Sequence, residues 1–593
     1  DAPNGTKLLR TGAILPVLRS PPLRDRMPAL STSRADYTIT AAPLPEAQWA
    51  DMADLVVTKR VGGTFWLPAA PLTRPVVVCD GGTHAGRGQE RLGRLLSWAL
   101  RHHAAAEIVL VAPHPHGRAV GVARRNGVAV VSGRADPHTL LDGAVRGYAP
   151  GPADLADLGA LRGLDVLVHD GSDISPRPWT RADAGRRLVA GTRYINPYTG
   201  AETGCRDAIM TLDLWRRTIL SNRQIAACAG MSLWKRRRIA ELFATAPGHP
   251  PFIRRPAALR RLASRKGGAP TRGVAVWATR MPEGLEEMAG QTGLEVWRVE
   301  DGFIRSVGLG SGLQVPCSIF LDRRGIYYDP SRPSDLEHIL ATARFDAELC
   351  TRARGLIRRI VAGGISKYGV GTGAQAPMIL PGRAPGQRVI LVPGQVSDDM
   401  SVRLGGGRIA SNLDLLREVR AQNIDAFIIY RPHPDVDAGH RAGALDDSEL
   451  GKYVDQISRG GAISALLPQV DEVHTLTSLT GFEALLRGLR VVTYGAPFYA
   501  GWGLTTDLGP VPRARRQRSL TLEELVAGTL LLYPVYIDPV TRLPCEPEML
   551  IDRIQDVRLW QPTFLMKVRE LQGRAKCWLG RAGTRDVKDM KKG

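Results

Sequence analysis

The sequence predicts an α/β fold built from parallel, helix-covered sheets in more than one unit. Apolar runs alternate with segments of helical spacing, first in VVVCDGG (76–82), RLGRLLSWALRHH (91–103) and EIVLVAPHP (107–115). Strands that are apolar throughout are typical of parallel sheets with helices on both faces. A chain of 593 residues, 44% of them hydrophobic, is long enough for two or three such domains.

The same alternation recurs downstream, which indicates an internal duplication. RVILVP (388–393), a helical segment and AFIIYRPHPD (426–435) repeat the first pattern in the same order. A second echo follows in each copy, LVAGTRYINPYTG from residue 188 and LVAGTLLLYPVYIDP from residue 525. Ordered self-similarity of this kind is the sign of a repeated unit. The second copy keeps its polar and glycine positions, whereas the first has lost most of them, so we expect a degenerate first unit.

These patterns divide the chain into six segments. The boundaries follow changes in composition, since Pro- and Arg-rich stretches without periodicity separate the periodic regions. We predict a disordered arm (1–40), a truncated degenerate copy of the repeated unit (41–220), a linker with a basic helix (221–268), a Rossmann-like domain (269–385), a second Rossmann-like domain with C-terminal helices (386–560) and a basic tail (561–593).

Composition excludes several classes of protein. No apolar run reaches the roughly 18–20 residues that cross a bilayer, and the N-terminal segment lacks a proper secretory core, so we expect a cytoplasmic protein. The seven cysteines form no CxxC pair, which indicates reduced thiols instead of a disulfide framework or zinc site. The 79 Lys and Arg against 58 Asp and Glu give a net charge of +21 and favour anionic partners, namely nucleic acid, phospholipid headgroups or an acidic substrate.

Two acidic motifs follow apolar strands, where open α/β sheets place their ligands. Glu300 and Asp301 precede a glycine in EDGFIRS, and Asp398 and Asp399 lie in GQVSDDMS. Each motif has a purely structural alternative. The first could be a turn with a solvated acid pair, and in the second Ser and Asp could cap a helix.

A phosphate-binding pattern follows in the same half of the chain. RPHPD places Arg431 and His433 at a strand end that two prolines hold, which suits a phosphate. In TLTSLTGFEALLRGL, Thr477 or Ser478 can cap a helix whose second turn carries Glu483, although an ordinary capped helix would have the same sequence. The aspartates of DVD (435–437) match a metal-diphosphate pattern, which we attribute to chance.

At these residues the second copy resembles the capsular polysaccharide β-Kdo transferases of the KpsC type. The matching strings are RVEDGFIRSVGLGSG, GISKYG, ILVPGQVSDDMSV, RPHPDVDAG and EVHTLTSLTGFEALLRGLRVVTYGAPFYAGWGLT, between about residues 221 and 560. The resemblance implies a GT-B-like pair of Rossmann-like domains preceded by a partial, degenerate one. It also implies a retaining enzyme that moves Kdo from CMP-Kdo to a phosphatidylglycerol-linked (or lysophosphatidylglycerol-linked) poly-Kdo linker at the inner face of the cytoplasmic membrane.

The resemblance also implies roles for individual residues. Asp399 matches the nucleophile, and Glu300 and Asp301 match an acid pair of which one member deprotonates the acceptor. The expected contacts to CMP are Arg431, His433, Thr477, Ser478 and Glu483, and the candidate substrate contacts are Arg305, Gln395, Lys367 and Tyr368. Because CMP leaves with a single phosphate that these groups can meet, we expect neither a metal nor a cofactor.

The first copy departs from the family pattern, since it has no EDGF before residue 300 and no TS-GFEAL motif. We therefore expect a single active module and a non-catalytic first unit. The expected partners are CMP-Kdo, an anionic glycolipid acceptor, the inner membrane surface and other capsule assembly or export proteins. The alternative is a non-catalytic capsule assembly or export factor. A nucleic-acid-binding protein is disfavoured because the basic residues are dispersed and no such motif is present.

Overall fold

The structure of the protein is a computed structural model. It describes residues 15–34, 44–79, 86–112, 114–133, 135–169, 176–263, 271–307, 314–367, 369–370, 380–409, 411–437 and 445–560. The chain divides into two compact units, one of residues 1–223 with 243–249 and one of residues 224–242 with 250–593. Over the described ranges, no helix is both long and apolar enough to span a membrane.

The first unit alternates strands and helices as the sequence predicts. Its strands are β1 Ser31–Ser33, β2 Val76–Cys79, β3 Ile108–Ala112, β4 Ala129–Ser132, β5 Arg146–Ala149, β6 Asp165–Val168, β7 Arg177–Pro178, β8 Thr192–Ile195 and β9 Glu202–Thr203. Its helices are α1 Ala50–Lys59, α2 Gly86–His102, α3 Arg118–Arg125, α4 Pro137–Leu140, α5 Asp154–Leu161, α6 Arg181–Val189 and α7 Cys205–Asn222.

The central sheet of the first unit has the strand order β4-β3-β2-β5-β6-β7, parallel except for the last strand. Every residue of β2 and β3 is buried, as expected for strands with helices on both faces. Part of the predicted disordered arm is ordered. Leu18 and Leu30 are buried, and β1 pairs with β8 in a small second sheet with β9. The apolar residues of this arm are scattered among prolines and charged residues without a strand period, which is too weak a signal for a strand.

The second unit begins with four strands of its first sheet and a separate antiparallel pair of short strands. The strands are β10 Ile225–Ala229, β11 Gly273–Trp277, β12 Glu295–Asp301, β13 Ser318–Asp322, β14 Ile365–Ser366 and β15 Gly369–Val370. The helices are α8 Leu233–Leu242, α9 Ala258–Ala263, α10 Leu285–Gln291, α11 Asp335–Thr342 and α12 Ala347–Ala362.

The remainder of the second unit supplies a second sheet and then returns to the first. The strands are β16 Val389–Pro393, β17 Phe427–Arg431, β18 Gln456–Ile457, β19 Glu472–Thr475, β20 Arg490–Thr493, β21 Thr506–Asp507, β22 Pro534–Ile537 and β23 Pro544–Cys545. The helices are α13 Met400–Gly405, α14 Asn412–Gln422, α15 Pro434–Asp437, α16 Asp447–Leu450, α17 Ile463–Leu466, α18 Leu479–Leu485, α19 Leu522–Val526 and α20 Pro547–Gln555.

The second sheet has the order β18-β17-β16-β19-β20-β21 and is parallel throughout. This is the order of the first unit's sheet, strand for strand, in agreement with the internal duplication. The likeness extends to the strand that follows. Tyr194 in β8 and Tyr536 in β22 each donate a hydrogen bond from the hydroxyl to the carbonyl six residues earlier, at Leu188 and Leu530.

The first sheet of the second unit has the order β10-β11-β12-β13-β22-β23. Its first three strands are parallel and the others antiparallel. Two predicted boundaries therefore differ from the structure. Segment 221–268 is not a linker, since it contributes β10, α8 and α9, and segment 386–560 is shared, since β22 and β23 join the first sheet. Both differences arise because strands that are distant in the sequence pair with each other. The second unit thus holds the expected GT-B-like pair of helix-flanked α/β domains.

Candidate active site

A cavity of about 370 Å³ lies in the second unit, at the carboxyl ends of β16, β17 and β19. Strand ends of this kind are where open α/β sheets bind ligands. The lining residues among the predicted site positions are Asp399, Gln395, Arg431, His433, Thr477, Ser478, Glu483 and Lys367. Side chains from both sheets of the unit therefore meet around one space.

Asp399 lies at the start of α13 and also faces the cavity. Its Oδ1 accepts hydrogen bonds from the backbone N–H of Ser401 and from the Ser401 hydroxyl, both at 2.9 Å. Asp399 is therefore the N-cap of α13, as the structural alternative predicts, and it is also the residue predicted to be catalytic. The cap fixes one carboxylate oxygen and thereby the direction of the group.

A pair of reciprocal hydrogen bonds joins the loops that follow β16 and β19. Gln395 donates through Nε2 to the Thr477 hydroxyl at 2.9 Å, and its Oε1 accepts from the Thr477 N–H at 2.9 Å. The Thr477 hydroxyl donates in turn to the Ser401 hydroxyl at 3.3 Å. The chain of bonds connects Asp399 to Thr477, so the two predicted groups are held in one arrangement.

Ser478 is the N-cap of α18, and its hydroxyl accepts from the N–H of Thr480 at 3.2 Å. The Tyr499 hydroxyl donates to the Ser478 carbonyl at 2.5 Å. Tyr499 can approach so closely because position 481 is glycine. A Cβ atom built there would lie 2.2 Å from the Tyr499 hydroxyl oxygen.

We therefore expect Gly481→Ala to lower the free energy of unfolding by about 1–3 kcal/mol, because the methyl group displaces Tyr499 from a packed site. Binding of CMP should weaken as the start of α18 shifts. Urea titration and calorimetric CMP binding measure the two effects. Gly355→Ala in α12 is the control, since its Cβ would meet no heavy atom within 4 Å. Equal stability of the two variants would contradict the packing argument.

His433 and Arg431 both line the cavity, but they are held differently. The Nδ1 of His433 accepts from the backbone N–H of Asp435 at 3.1 Å, so a neutral ring carries its proton on Nε2. Arg431 donates to the carbonyls of Gly460 and Gly461 and lies 3.4 Å from the Ser458 hydroxyl. The guanidinium of Arg431 therefore holds the loop after β18, whereas His433 presents a ring donor.

Glu483, on α18 of the second sheet, contacts the separate β14–β15 hairpin at the cavity. Its Oε1 accepts from the backbone N–H of Lys367, in the turn between β14 and β15, at 3.1 Å. Burial raises the pKa of Glu483 above its ordinary value, against the effects of that N–H, Arg487 and Lys367. Glu483 thus positions the hairpin that carries Lys367. Tyr368, predicted beside it, lies outside the described residues.

Glu300 and Asp301 end β12 and, like Arg305, are absent from the described lining of the cavity, but they lie within electrostatic range of Lys367, which does line it. Burial and the Asp301 charge raise the pKa of Glu300 to about 7. Burial also acts to raise the pKa of Asp301, but Arg305, Lys235 and Lys367 outweigh it, and that pKa falls below its ordinary value. Two carboxylates with separated pKa values can act as a fixed charge and a proton carrier near neutral pH.

Arg305 does not fulfil its prediction as a substrate contact. It is 1% exposed and is absent from the described lining of the cavity. Its Nε lies 2.9 Å from Asp301 Oδ2, and its other nitrogens donate to the Ser306 hydroxyl and the Gln314 carbonyl. The buried guanidinium therefore neutralises Asp301 from within the protein. The sequence does not show whether the side chain of an arginine next to an acidic motif points toward the cavity or into the protein.

Sequence reasoning missed several residues of the site. Tyr327 and Tyr328 of the string GIYYDP line the cavity together with Phe303 and Phe498, whose rings stack 4.4 Å apart. Lys235, placed in the supposed linker, has its ammonium 3.2 Å from Asp301. The aromatic string was a usable signal, whereas nothing near Lys235 in the sequence points to Asp301.

The first unit lacks a counterpart of the Glu483 carboxylate, although His114 in VAPHP stands where the second unit has His433 in YRPHP. The string LRGL occurs at 161–164 and 486–489, and three residues before it stand Leu158 and Glu483 respectively. Leu158 is buried, and a Cβ on Gly62 would lie 3.1 Å from it and 3.3 Å from Val17. Apolar packing therefore occupies the place of the Glu483 carboxylate. Residues 80–85 of the loop that would hold a nucleophile lie outside the described residues.

The structure contains no cluster of three or more His, Cys, Asp or Glu side chains suited to a metal in the parts of the chain that it describes. The DVD segment forms α15, and Asp437 pairs with Arg459 at 3.7 Å.

Comparisons with known proteins converge on one family. The family model described as "Capsule polysaccharide biosynthesis protein" matches residues 273–356 and 368–536, which include most strands of both six-stranded sheets and most residues that line the cavity. The "Capsule polysaccharide modification protein LipA" of Neisseria meningitidis serogroup A is 45% identical over 351 residues, or 59% of this chain and 48% of LipA. The matched part of the chain thus spans about half the length of this curated relative.

Two solved structures from Thermosulfurimonas dismutans are also similar. "KpsC, beta Kdo 2,7 transferase" is 36% identical and matches over 56% of this chain and 99% of that one, with a TM-score of 0.45. "KpsC, beta Kdo 2,4 transferase" is 32% identical over 56% of this chain and 98% of that one, with a TM-score of 0.46. On this sequence identity and the family match, the chain belongs to the capsule polysaccharide biosynthesis protein family.

Proposed function

We propose that the second unit is a retaining glycosyltransferase that moves Kdo from CMP-Kdo to a phosphatidylglycerol-linked or lysophosphatidylglycerol-linked poly-Kdo linker. The observation that carries the proposal is the meeting of Asp399, His433 and Lys367 in one cavity, beside the divided acid pair Glu300 and Asp301. The names of the related KpsC domains suggest Kdo as the sugar.

The reaction proceeds by two displacements in this proposal. The Asp399 carboxylate attacks C2 of Kdo, the bond from C2 to the phosphate oxygen breaks, and CMP leaves with the bonding electrons. Glu300, as carboxylate, then takes the proton of the acceptor hydroxyl, whose oxygen attacks C2 and releases Asp399. Two inversions at C2 give net retention.

The CMP phosphate lies in this scheme against the His433 ring and the hydroxyl groups of Thr477 and Ser478. His433 contributes its Nε2–H, since Nδ1 is already an acceptor for a backbone N–H. Arg431 acts indirectly, by holding the Gly460–Gly461 loop at the edge of the cavity. A leaving group with a single phosphate needs no bridging metal, so the proposal includes none.

We expect His433→Ala to raise the KM for CMP-Kdo about tenfold, the effect of losing one hydrogen bond to a charged group. Steady-state CMP release over a range of donor concentrations measures it. His338→Ala is the matched control, since His338 lies exposed on α11. An unchanged KM in the His433 variant would remove this residue from the phosphate site.

The proposal assigns catalysis to the second unit alone and peripheral binding at the inner membrane face to the whole protein. The first unit then serves as a non-catalytic module, because Leu158 and apolar packing stand where the second unit has Glu483. The further partners proposed are the anionic glycolipid acceptor and other proteins of capsule assembly or export.

The test is incubation of the full chain with CMP-Kdo and a defined Kdo-lipid acceptor. The expected result is release of CMP together with an acceptor extended by β-linked Kdo, as judged by linkage analysis. Binding of CMP-Kdo and acceptor with no turnover would favour the alternative, a non-catalytic factor of capsule assembly or export.

A further inference from the structure

Lys235 lies at the inner side of α8, the basic helix WKRRR. Unlike Arg237 on the same helix, whose side chain is 80% exposed, Lys235 is only 8% exposed. Its ammonium lies 3.2 and 3.4 Å from the two carboxylate oxygens of Asp301, and 3.5 Å from the centre of the Trp277 ring. An ammonium over an aromatic face is stabilised by the ring electrons in place of water.

Asp301 is therefore held from two sides. Arg305 Nε lies 2.9 Å from Oδ2, and Lys235 approaches from α8, so two buried cations face one carboxylate. Glu300 has a different environment, since its Oε1 accepts a hydrogen bond from the backbone N–H of Asp301 at 3.0 Å. A carboxylate paired with two cations stays ionised, and its charge then disfavours ionisation of its neighbour.

We propose that Lys235 is a positioning residue that acts through Asp301 and, by its own charge, sets the pH at which Glu300 gives up its proton. The proposal rests on the proposed function only in treating Glu300 as the base. Other charged or titratable groups around the two carboxylates are Arg305, Lys367 and Tyr328. Asp399 in turn interacts electrostatically with Tyr328. They remain in place when Lys235 alone is changed.

The sign of the effect follows from electrostatics. Removing the positive charge of Lys235 makes both carboxylates harder to ionise, so Glu300 should titrate at higher pH. An opposite charge at 4–6 Å changes a pKa by about one unit or more. The ascending limb of the pH–rate profile, expected near pH 7 in the parent from the pKa of Glu300, should therefore move up by about one unit in Lys235→Met.

Stability gives a second measurement that needs no turnover. Because folding raises the pKa of Glu300 from an ordinary 4.5 to about 7, the stability due to its protonated form is complete below about pH 4.5 and is lost as the pH rises through 7. In Lys235→Met this loss should extend to higher pH, and in Glu300→Gln it should be absent.

The experiment compares the full chain with Lys235→Met, Lys235→Gln, Lys235→Arg and Arg237→Met. Both Tm and CMP release are followed from pH 5 to 9. The neutral Lys235 variants should shift both profiles upward, whereas Lys235→Arg and Arg237→Met should follow the parent. Lys235→Gln keeps a hydrogen-bond donor to Asp301 and serves if the methionine variant does not fold.

The outcomes separate this inference from the proposed function. Coincident Tm profiles for the neutral Lys235 variants and Arg237→Met would overturn the positioning role, whatever the activity. A shifted Tm profile in a protein that releases no CMP would support the role of Lys235 and count against the transferase.

Discussion

Asp399→Asn is expected to reduce Kdo transfer by at least about 10⁴-fold, since removal of a nucleophile that forms a covalent intermediate can cost about 10⁶-fold. The variant suits the test because asparagine is also a good N-cap, so its side-chain oxygen can still accept from the N–H of Ser401. The fold of α13 should survive while the attacking oxygen is lost. Release of CMP in the presence of acceptor measures the effect, and the release in a single turnover should fall equally.

Asp398→Asn is the matched control, since this exposed neighbour carries the same charge one residue away and does not line the described cavity. Its rate should lie within about twofold of the parent, as expected for a surface change away from the chemistry. Substantial transfer by Asp399→Asn would mean that another group attacks C2 or that the first unit contributes activity. The first result would overturn the role of Asp399, and the second would overturn the assignment of catalysis to the second unit alone.

Glu300→Gln is expected to slow transfer by about 10²–10⁴-fold while sparing the first half of the reaction. The amide cannot take the acceptor proton, but departure of CMP from Kdo depends on Asp399 and the phosphate site. A single-turnover experiment should therefore show release of about one CMP per protein without an extended acceptor. Mass spectrometry of the intact protein should detect the Kdo that remains attached.

The pH profile provides the second part of this prediction. Transfer by the parent should increase as the pH rises through about 7, because Glu300 must lose its proton to act as a base. The residual activity of Glu300→Gln should not show this increase with pH. Glu283→Gln removes an exposed negative charge on the loop before α10, and this variant should keep the transfer rate of the parent and its increase through about pH 7. Loss of the CMP burst in Glu300→Gln would instead assign this residue to the first half of the reaction.

Much of the architecture could be predicted from local signals. Largely apolar strands such as β16, which ends in Pro393, and β17, which is followed by Pro432, predict a parallel sheet whose loops at one edge can bind ligands. The order of the repeated patterns along the chain predicted an internal duplication, and the identical strand order of two sheets supports it. These properties depend on residues close together in sequence, so periodicity and turn residues suffice to find them.

The predicted site residues that meet in the cavity share one property, namely a place at a strand end or helix start. Two flanking prolines fix the position of His433, and the capping hydroxyl of Ser478 fixes the start of its helix. Both features can be recognised in the sequence. Arg305 had the same kind of signal and was assigned wrongly, because its side chain turns inward to Asp301. Local pattern gives the position of a backbone and not the direction of a long side chain.

By itself the sequence determined the fold class, the repeated unit and the edge of the sheet at which the cavity lies. Only the tertiary structure decided how the acid pair is divided, since that depends on burial, on Arg305 and on Lys235, which lies 66 residues from Asp301 in sequence and 3.2 Å from it in space. It likewise decided that Glu483 holds the Lys367 hairpin, 116 residues away. Burial and charge at such contacts set the pKa values, and they exist only once distant strands have packed together.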